Sequence, residues 1–269
     1  MAEEMKKRGE EVIVFGDVSL ETGLSSADIV VLGLPMSTDG ETVSLDIPDH
    51  KIYLEALASK MCVRHTLMAG KISSEHRLLF ERRGISCIDY LKREELAVSN
   101  AIPTAEGAVQ IMMETMPTTI FDSTVLIAGY GRIGKYLAKI LHGLGARVTV
   151  SARRAEHFAW ISANGHTPVH TSSIPDTAGM YDVIINTIPH PVIDSAVLSK
   201  VKPDVFVLDL ASAPGGVDFE YAHNHSIKAV SALSLPGKVA PVSAGKIVCD
   251  SVLYAADELG FCPEGDRKD

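Results

Sequence analysis

The segment between residues 124 and 151 limits the possible folds of this 269-residue chain more than any other feature. The apolar run Thr124–Ala128 leads directly into the loop Gly129–Gly134, which reads G-Y-G-R-I-G. Apolar residues at helical spacing follow in Lys135–Leu144, and a second apolar run occupies Arg147–Ser151. A strand, a G-x-G-x-x-G turn, a helix and a second strand in this order are typical of a dinucleotide-binding unit.

Each glycine of this loop has its own physical reason. Gly129 permits the tight turn, Gly131 lets the backbone approach a pyrophosphate, and Gly134 lets the helix pack close to the strand. The first helical turn, with Arg132 and Ile133, offers free N–H groups and the positive end of the helix dipole to phosphates. A plain turn before a helix is the alternative, and the flanking strands favour the cofactor site.

The end of the second strand indicates which dinucleotide binds. NAD sites usually carry Asp or Glu at this position, where the carboxylate binds the ribose hydroxyls. This chain has Ser151, Arg153 and Arg154 instead. A hydroxyl and two guanidinium groups attract a 2′-phosphate that a carboxylate would repel. We therefore predict NADP(H) in preference to NAD(H), although either arginine alone is also compatible with a solvated side chain.

Short apolar runs alternate with helical stretches along most of the chain, a pattern typical of parallel sheets with buried strands. We predict an α/β protein with a doubly wound Rossmann cofactor domain and a smaller flavodoxin-like or Rossmann-like α/β domain. Four regions are predicted: an N-terminal domain at 1–100, a connecting helix at 101–117 that begins near Pro103, the cofactor domain at 118–240, and a helix returning to the N-terminal domain with a polar tail at 241–269.

The chain opens with the end of a helix at Glu3–Lys7 and a predicted strand at Glu11–Phe15. Because a parallel α/β domain normally opens with a strand, this order suggests that an expected first strand is absent. Met1–Glu10 is charged and lacks the apolar core of a signal peptide. No apolar run reaches the roughly 18 residues of a membrane helix. We therefore expect a cytoplasmic protein without a membrane anchor.

Composition excludes further classes of function. Apolar residues make up 46% and charged residues 22%, so a sizeable core is available, and the net charge of −9 argues against a nucleic-acid surface. The four cysteines form no CxxC pair, which indicates free thiols in a reducing compartment. Cys62 with His65 is one pair of possible ligands and His223 with His225 is another, and each pair without further ligands is poor evidence for metal. We predict no metal site.

Ligands of such sheets bind at the carboxyl ends of the strands. Three loops rich in Gly and Pro follow predicted strands, at 187–190, 211–216 and 235–241. Such loops bring backbone close to a ligand. Besides the glycine loop and the strand end at 151–154, we predict cofactor contacts from Thr187, Ile188, Pro189, Ala211, Leu235 and Pro236.

Several polar side chains are candidates for chemistry. His190 is either an acid–base group or a histidine facing solvent, which is the commoner role. Lys238 is either a catalytic or carboxylate-binding group or a surface lysine. Glu106 either accepts a proton or caps its helix. Asp209 is a chemical group or a buried cap, and Trp160 is predicted to pack on its helix.

Substrate contacts are predicted from hydroxyl groups as well as from Lys238. Ser37 and Thr38 lie in a loop after an apolar strand of the N-terminal domain, where an ordinary turn is the alternative. Ser212 lies in the loop after the fifth strand of the cofactor domain. Together these residues would supply donors and one cation to a small dicarboxylate.

Five segments together resemble the A subunits of dipicolinate synthase from spore-forming bacteria, over about residues 9–260. The glycine loop is shared with many dehydrogenases, whereas the segments after residue 208 are much more specific. They are IPTAEG at 102–107, GYGRIG at 129–134, INTIP at 185–189, DLASAPGGVDF at 209–219 and LPGKVAPVSAG at 235–245.

The resemblance implies an architecture like that of 2-hydroxyacid and alanine dehydrogenases, in an oligomer. It also implies a partner, which is a flavoprotein-like B subunit. The pair would oxidise a dihydrodipicolinate-level intermediate of the lysine pathway to dipicolinate, with NADP reduced, in the mother cell during sporulation. Members of the family usually begin with an additional strand and a Gly-Gly-Asp turn, which this sequence does not contain.

Two other functions stay open at this point. One is an NADP-dependent 2-hydroxyacid or amino-acid dehydrogenase, which needs a well-placed arginine and an acid–base histidine; the loop histidines do not clearly match that arrangement. The other is a non-catalytic, NADPH-binding subunit that regulates or supports its partner.

Overall fold

The computed structural model describes residues 1–45, 47 and 50–261. The chain divides into two compact units. Unit 1 comprises Met1–Ala97 together with the residues from Ala244 onward, and unit 2 comprises Val98–Ser243. No helix within the described ranges is long and apolar enough to cross a membrane.

Unit 1 is built on a parallel sheet of three strands in the order β1-β2-β3. The strands are β1 (Ile29–Val31), β2 (Thr66–Ala69) and β3 (Ser86–Asp89). The helices that precede or join them are α1 (Ala2–Lys7), α2 (Leu20–Ser26), α3 (Leu54–Lys60) and α4 (Ser74–Glu81). All four residues of β2 are buried, as expected for a central strand covered on both faces.

The predicted strand at Glu11–Phe15 is wrong. Within the described residues, this segment makes only an isolated bridge between Phe15 and Val18 and joins no sheet. Its apolar residues have another role, because Val12 packs against a cluster that contains Met5 and Met68. An apolar run alone does not form a strand without a neighbour to pair with.

Helix α5 (Glu94–Thr115) begins earlier than predicted and contains Pro103 in its interior. The sequence places Pro103 at the start of this helix, and the structure corrects this. Two acidic residues in the first turn favour the earlier start. A proline inside a helix costs about 3 kcal/mol. Burial of the face that carries Ala105, Ala108 and Met112 in the core of unit 2 offsets that cost.

Unit 2 contains a parallel sheet of six strands in the order β6-β5-β4-β7-β8-β9. This order is that of the doubly wound dinucleotide-binding fold. The strands are β4 (Thr124–Ala128), β5 (Arg147–Ala152), β6 (Thr167–His170), β7 (Val183–Asn186), β8 (Phe206–Asp209) and β9 (Lys228–Ser231). The predicted fold class, an α/β protein with parallel sheets and a Rossmann-type cofactor domain, is confirmed.

The sheet of unit 2 has a core on each face. Val125 and Ile127 of β4 belong to one cluster, whereas Leu126 and Ala128 belong to the other, as the alternation of side chains along a strand requires. The helices of this unit are α6 (Arg132–Gly143), α7 (Ala155–Ala163), α8 (Ile174–Thr177), α9 (Ser195–Leu198), α10 (Phe219–Asn224) and α11 (Leu235–Val239).

Helix α11 replaces part of the loop predicted at 235–241. Its first turn carries Pro236, which suits a helix start. A Cβ atom at Gly107 of α5 would lie 3.2 Å from Cβ of Leu235 and 3.1 Å from Val239, so the missing side chain makes room for α11. The IPTAEG and LPGKV segments therefore meet in space.

Helix α12 (Pro241–Glu258) is the last element described. Its buried residues Cys249, Val252 and Ala255 belong to a cluster with Tyr90 and Leu96 of unit 1. Cys62, Cys87 and Cys249 are free thiols, and the fourth cysteine, Cys262, lies outside the described residues.

Candidate functional site

The glycine loop joins β4 to α6 and depends on two of its glycines for its shape. Gly129 has φ of +106°, and a Cβ atom there would lie 2.6 Å from Oγ1 of Thr187. A Cβ atom on Gly134 would overlap the carbonyl oxygen of Gly129, so no larger residue fits without moving the backbone. The turn and the close helix–strand packing predicted for these two glycines both follow from this geometry.

Gly131 differs from the other two because it borders open space. It is the N-cap of α6 and provides no capping side chain, and an added Cβ would meet no atom within 4 Å. The first N–H groups of a helix have no partner inside it. The amide groups of Arg132, Ile133 and Gly134 are therefore suited to an anion at the amino end of α6, which fits the diphosphate of a dinucleotide.

Ser151 lies behind the loop, at the end of β5. It is fully buried, and its Oγ accepts a hydrogen bond from the N–H of Gly129 at 3.2 Å. Oγ1 of Thr171 donates to the same oxygen at 3.4 Å. The hydroxyl predicted to bind a 2′-phosphate is thus engaged in holding the glycine loop against β5.

Arg153 and Arg154 follow β5 and are both exposed. Arg154 forms an ion pair with Glu156 at 3.0 Å and contacts Nε2 of His157 at 2.6 Å. Across the described part of the chain, Arg153 has no hydrogen-bond or ion-pair partner. Of the two cations, Arg153 is the one whose guanidinium is available to a ligand.

A buried polar pair, Asn186 and Asp209, links the ends of β7 and β8. The two residues are direct neighbours in the sheet, are 0% and 1% exposed, and are joined by a bond from Nδ2 to Oδ1 of 2.8 Å. Asn186 also accepts from the N–H of Ile188 at 3.1 Å and donates to its carbonyl oxygen at 2.9 Å. It thereby fixes the start of the loop after β7.

Asp209 does the same for the loop after β8. Its two carboxylate oxygens accept from the N–H of Ala211 at 3.0 Å and of Gly216 at 2.9 Å. Of the two alternatives stated for Asp209, the buried cap is confirmed. Sequence reasoning misses the pairing with Asn186, because the residues lie 23 positions apart and only their register in the sheet brings them together.

The Pro-Gly-Gly sequence after β8 follows from this arrangement. A Cβ atom on Gly215 would lie 2.8 Å from Oδ2 of Asp209. One on Gly216 would lie 2.5 Å from Nδ2 of Asn186 and 2.6 Å from the carbonyl oxygens of Ile188 and His190. The two glycines let the chain pass close to Asn186 and Asp209. This close approach explains why glycines occur in the DLASAPGG segment.

The loop after β7 carries three of the predicted cofactor contacts and His190. The N–H and hydroxyl of Thr187 both donate to the carbonyl oxygen of Ala128, at 3.0 and 2.8 Å. Ile188 is half-buried, whereas Pro189 and His190 are exposed. Thr187 and Ile188 lie against Gly129, because a Cβ atom added there would meet both side chains. His190 contacts solvent, and its acid–base role stays a prediction.

The remaining predicted residues are more scattered. Ala211 is buried beside Asp209, and Ser212 is exposed in the following turn. On α11, Leu235 is buried against α5, whereas Lys238 is exposed. Glu106 is exposed in the middle of α5, so the suggestion that it caps this helix is wrong.

Ser37 and Thr38 belong to unit 1, in the loop after β1. The hydroxyl of Ser37 donates to Oδ1 of Asp39 at 3.0 Å and accepts from the N–H of Gly40 at 2.9 Å. Thr38 is exposed. Ser37 is therefore committed to the turn, and Thr38 is the freer of the two hydroxyls.

Within the described residues, no group of three His, Cys, Asp or Glu side chains is arranged to hold a metal ion. The strand ends of unit 2 instead offer amides, hydroxyls and one available guanidinium. This set suits an anionic dinucleotide.

Comparison with known proteins agrees with this geometry. The model for the NAD-binding domain of D-isomer specific 2-hydroxyacid dehydrogenases matches residues 97–215. The dipicolinate synthase A protein of Bacillus subtilis (strain 168) is 33% identical over 231 residues, which cover 86% of this chain and 78% of that protein. The matched domain supports an NAD(P)-dependent, oxidoreductase-like subunit that binds a nicotinamide cofactor.

Solved structures give the same result. The A chain of dipicolinate synthase from Bacillus subtilis matches with a TM-score of 0.81 at 32% identity, covering 87% of this chain and 79% of that chain. Its counterpart from Bacillus halodurans gives 0.83 at 31% identity, with coverages of 90% and 83%. A transhydrogenase from Sinorhizobium meliloti shares the fold at 15% identity and a TM-score of 0.72, with coverages of 96% and 80%. The chain therefore belongs to the family of dipicolinate synthase A subunits.

Proposed function

We propose that this chain is the NADP-dependent oxidoreductase subunit of a dipicolinate synthase. It oxidises a dihydrodipicolinate-level intermediate to dipicolinate in the cytoplasm of the mother cell during sporulation. It works in an oligomer with a flavoprotein-like B subunit. The observation that carries this proposal is the uncapped amino end of α6 at Gly131, together with the unpaired guanidinium of Arg153 beyond the end of the neighbouring strand β5.

The chain's own groups bind and orient the cofactor. The amides of Arg132–Gly134 bind the diphosphate, and Arg153 binds the 2′-phosphate. The loop Thr187–Pro189 borders the nicotinamide end, held by Asn186 and by the carbonyl oxygen of Ala128. When bound, the nicotinamide ring supplies the hydride acceptor.

Aromatisation of the substrate ring releases one hydride and one proton, and the chain must accept the proton. His190 and Glu106 are our candidates for this step, since both are exposed and can pass a proton to water. Lys238 and Ser212 of unit 2 are proposed to bind the substrate carboxylates. Of these, Lys238 supplies the positive charge.

The first test is a binding titration of NADPH and NADH to the purified chain and to two variants. Arg153→Gln should weaken NADPH by about tenfold or more, since a hydrogen bond to a charged group contributes about 1.5–3 kcal/mol, and should leave NADH nearly unchanged. Arg154→Gln is the matched control with a smaller effect, because Arg154 is already paired with Glu156. Equal losses for both cofactors, or tighter binding of NADH by the unaltered chain, would contradict the NADP assignment.

The second test is turnover of dihydrodipicolinate with and without the B subunit. NADPH formation that requires this chain and falls in Lys238→Ala through a raised KM supports the proposal. An unchanged KM and kcat would remove Lys238 from the site. Binding of NADPH without any turnover, even with the partner present, would instead identify a regulatory or supporting subunit.

A second candidate function is favoured by the match to the 2-hydroxyacid dehydrogenase domain over residues 97–215. An NADP-dependent 2-hydroxyacid or amino-acid dehydrogenase would reduce NADP with such substrates in the absence of any partner. A panel of these acids, assayed beside dihydrodipicolinate, separates the two reactions.

A further inference from the structure

A groove of about 480 Å³ lies between α6 and α7 in unit 2. Its walls carry two lysines, two histidines, two aromatic rings and Asn164, and no carboxylate is among the lining residues. In a chain with a net charge of −9, a groove with this lining is unusual. Its volume falls in the range of about 300–1,000 Å³ that small-molecule sites occupy.

The positive wall of the groove belongs to α6. Lys135, Lys139 and His142 lie four and three residues apart, which places them on one face of the helix. Within the described residues, neither ammonium group has a carboxylate partner. Lys135 lies over the ring of Tyr130, with Nζ at 5.3 Å from the ring centre. Both charges are therefore available to an anion.

His166 is a second, independent observation, because it leaves a hydrogen-bonding atom of the groove without a partner. Its side chain lines the groove and is 8% exposed, and its Nδ1 atom is buried without a hydrogen-bond partner. Burial, and then the nearby His142, lower the pKa of His166, which favours the neutral ring. A buried polar atom without a partner is rare in native proteins and calls for an explanation.

Trp160 forms part of the opposite wall. The sequence predicts a packing residue here, and this is wrong, since Trp160 is 63% exposed. An indole ring at the edge of a positively charged groove offers a flat face on which another ring can stack. Trp160 is also the single tryptophan of the chain, so its fluorescence reports on this groove alone.

We propose that this groove, which adjoins the glycine loop through Tyr130, binds a small planar ring that carries anionic groups. The ring stacks on Trp160, and the anionic groups contact Lys135 and Lys139. Carboxylate and phosphate share this chemistry, so an aromatic dicarboxylate and a purine nucleotide are the two sources to compare. The proposal does not depend on the proposed reaction, because the groove contains none of the residues assigned to catalysis or to the substrate.

The experiment is a tryptophan fluorescence titration of the full chain, saturated with NADP⁺, with pyridine-2,6-dicarboxylate in one arm and AMP in the other. Saturation blocks the adenosine site, so a response in the AMP arm comes from elsewhere. We expect a saturable change in at least one arm. Lys135→Gln and Lys139→Gln should each weaken it about five- to tenfold, as expected for loss of one charged contact. Lys92→Gln, which removes an exposed lysine of unit 1, should leave it unchanged.

Calorimetry on Trp160→Phe, a variant without the reporter, checks that heat of binding persists. Absence of a response in both arms at millimolar ligand would overturn the proposal. Binding that neither lysine variant weakens, or that NADP⁺ abolishes, would overturn it as well.

Discussion

The two units hold the loops that follow their strands with the same chemistry in opposite surroundings. In unit 2, Asp209 is 1% exposed and accepts from the N–H groups of Ala211 and Gly216 and from Asn186. In unit 1, Asp39 is exposed and accepts from the N–H groups of Glu41 and Thr42 at 2.9 and 2.8 Å. Each carboxylate accepts hydrogen bonds from the backbone N–H groups of the turn that follows it.

The two turns differ in what can replace a hydrogen bond to the carboxylate when that bond is lost. The N–H groups that donate to Asp209 are buried and cannot bond to water instead. The shape of the loop therefore depends on a complete network of buried hydrogen bonds. Donors around Asp39 can be hydrated when the carboxylate is removed. Hydrogen bonds, chiefly from the Thr42 side chain, hold the pKa of Asp39 well below its ordinary value, yet the group remains at the surface. The loops after β7 and β8 are thus anchored by a buried pair in unit 2, whereas the loop after β1 is held by a carboxylate at the surface.

The largest effect is expected where backbone meets backbone in unit 2. Gly134→Ala places a methyl group on the carbonyl oxygen of Gly129, which cannot move without opening the turn. We expect a loss of about 3 kcal/mol in the free energy of unfolding and no cofactor binding. In unit 1, Gly70→Ala meets only side chains, those of Leu34 and Tyr90, and should cost less. Urea unfolding of both variants measures the difference.

Gly131→Ala is the control for the same loop. Its added methyl group meets no atom within 4 Å, so stability should change by at most about 1 kcal/mol, whereas the affinity for NADPH should fall. If Gly134→Ala unfolds like the unaltered chain, the packing explanation of that glycine is wrong. If Gly131→Ala binds NADPH normally, the diphosphate does not approach this residue.

A smaller effect is expected from the carboxylates themselves. Asp209→Asn puts an amide N–H₂ group next to donors and leaves a buried bond unmade, which should cost about 2 kcal/mol. It should also weaken NADPH, since the loops after β7 and β8 lose a shared support. Asp39→Asn should cost less and leave NADPH binding unchanged. Thermal unfolding with a cofactor titration compares the pair, and equal losses would show that burial is not what separates the two turns.

The features that the sequence predicts well are those set by neighbours along the chain. The strand β4 is predicted with its observed limits, and the roles of Gly129 and Gly134 follow from the spacing of the motif. A continuous apolar strand followed by a tight glycine turn limits this segment to few local conformations. The order of the six strands then follows from the doubly wound pattern.

What the sequence does not show depends on distant partners. Helix α11 resembles a loop in the sequence because its Pro and Gly residues are typical of a turn, and the space left by Gly107 of α5 explains its packing. The sequence predicts a ligand contact for Ser151 because it cannot show the hydrogen bond from Gly129 to this hydroxyl. That bond forms only when β4 and β5 pair. Helices α2 and α3 escape prediction altogether, since each is seven residues long and carries little periodicity.

A smaller effect than that of Asp209→Asn is expected for Asp182, whose side chain is 39% exposed. Burial opposes its ionisation, but bonds from Lys202 at 2.6 Å and from the N–H and hydroxyl of Thr124 prevail and lower the pKa of Asp182 to about 2. Since the folded-state pKa is depressed, the contribution to stability is complete above the ordinary value of about 4 and is lost as the pH falls towards 2.

Asp182→Asn should therefore destabilise the chain modestly at neutral pH and flatten the loss of stability between about pH 4 and pH 2. Solvent around a partly exposed carboxylate weakens its bonds, so the effect should be smaller than that of Asp209→Asn. Lys202→Gln is the matched control, since it removes one of these bonds and should shift the acid transition part of the way. Urea unfolding at a series of acidic pH values measures both. A variant with the same acid slope as the unaltered chain would show that Asp182 does not contribute to the acid transition.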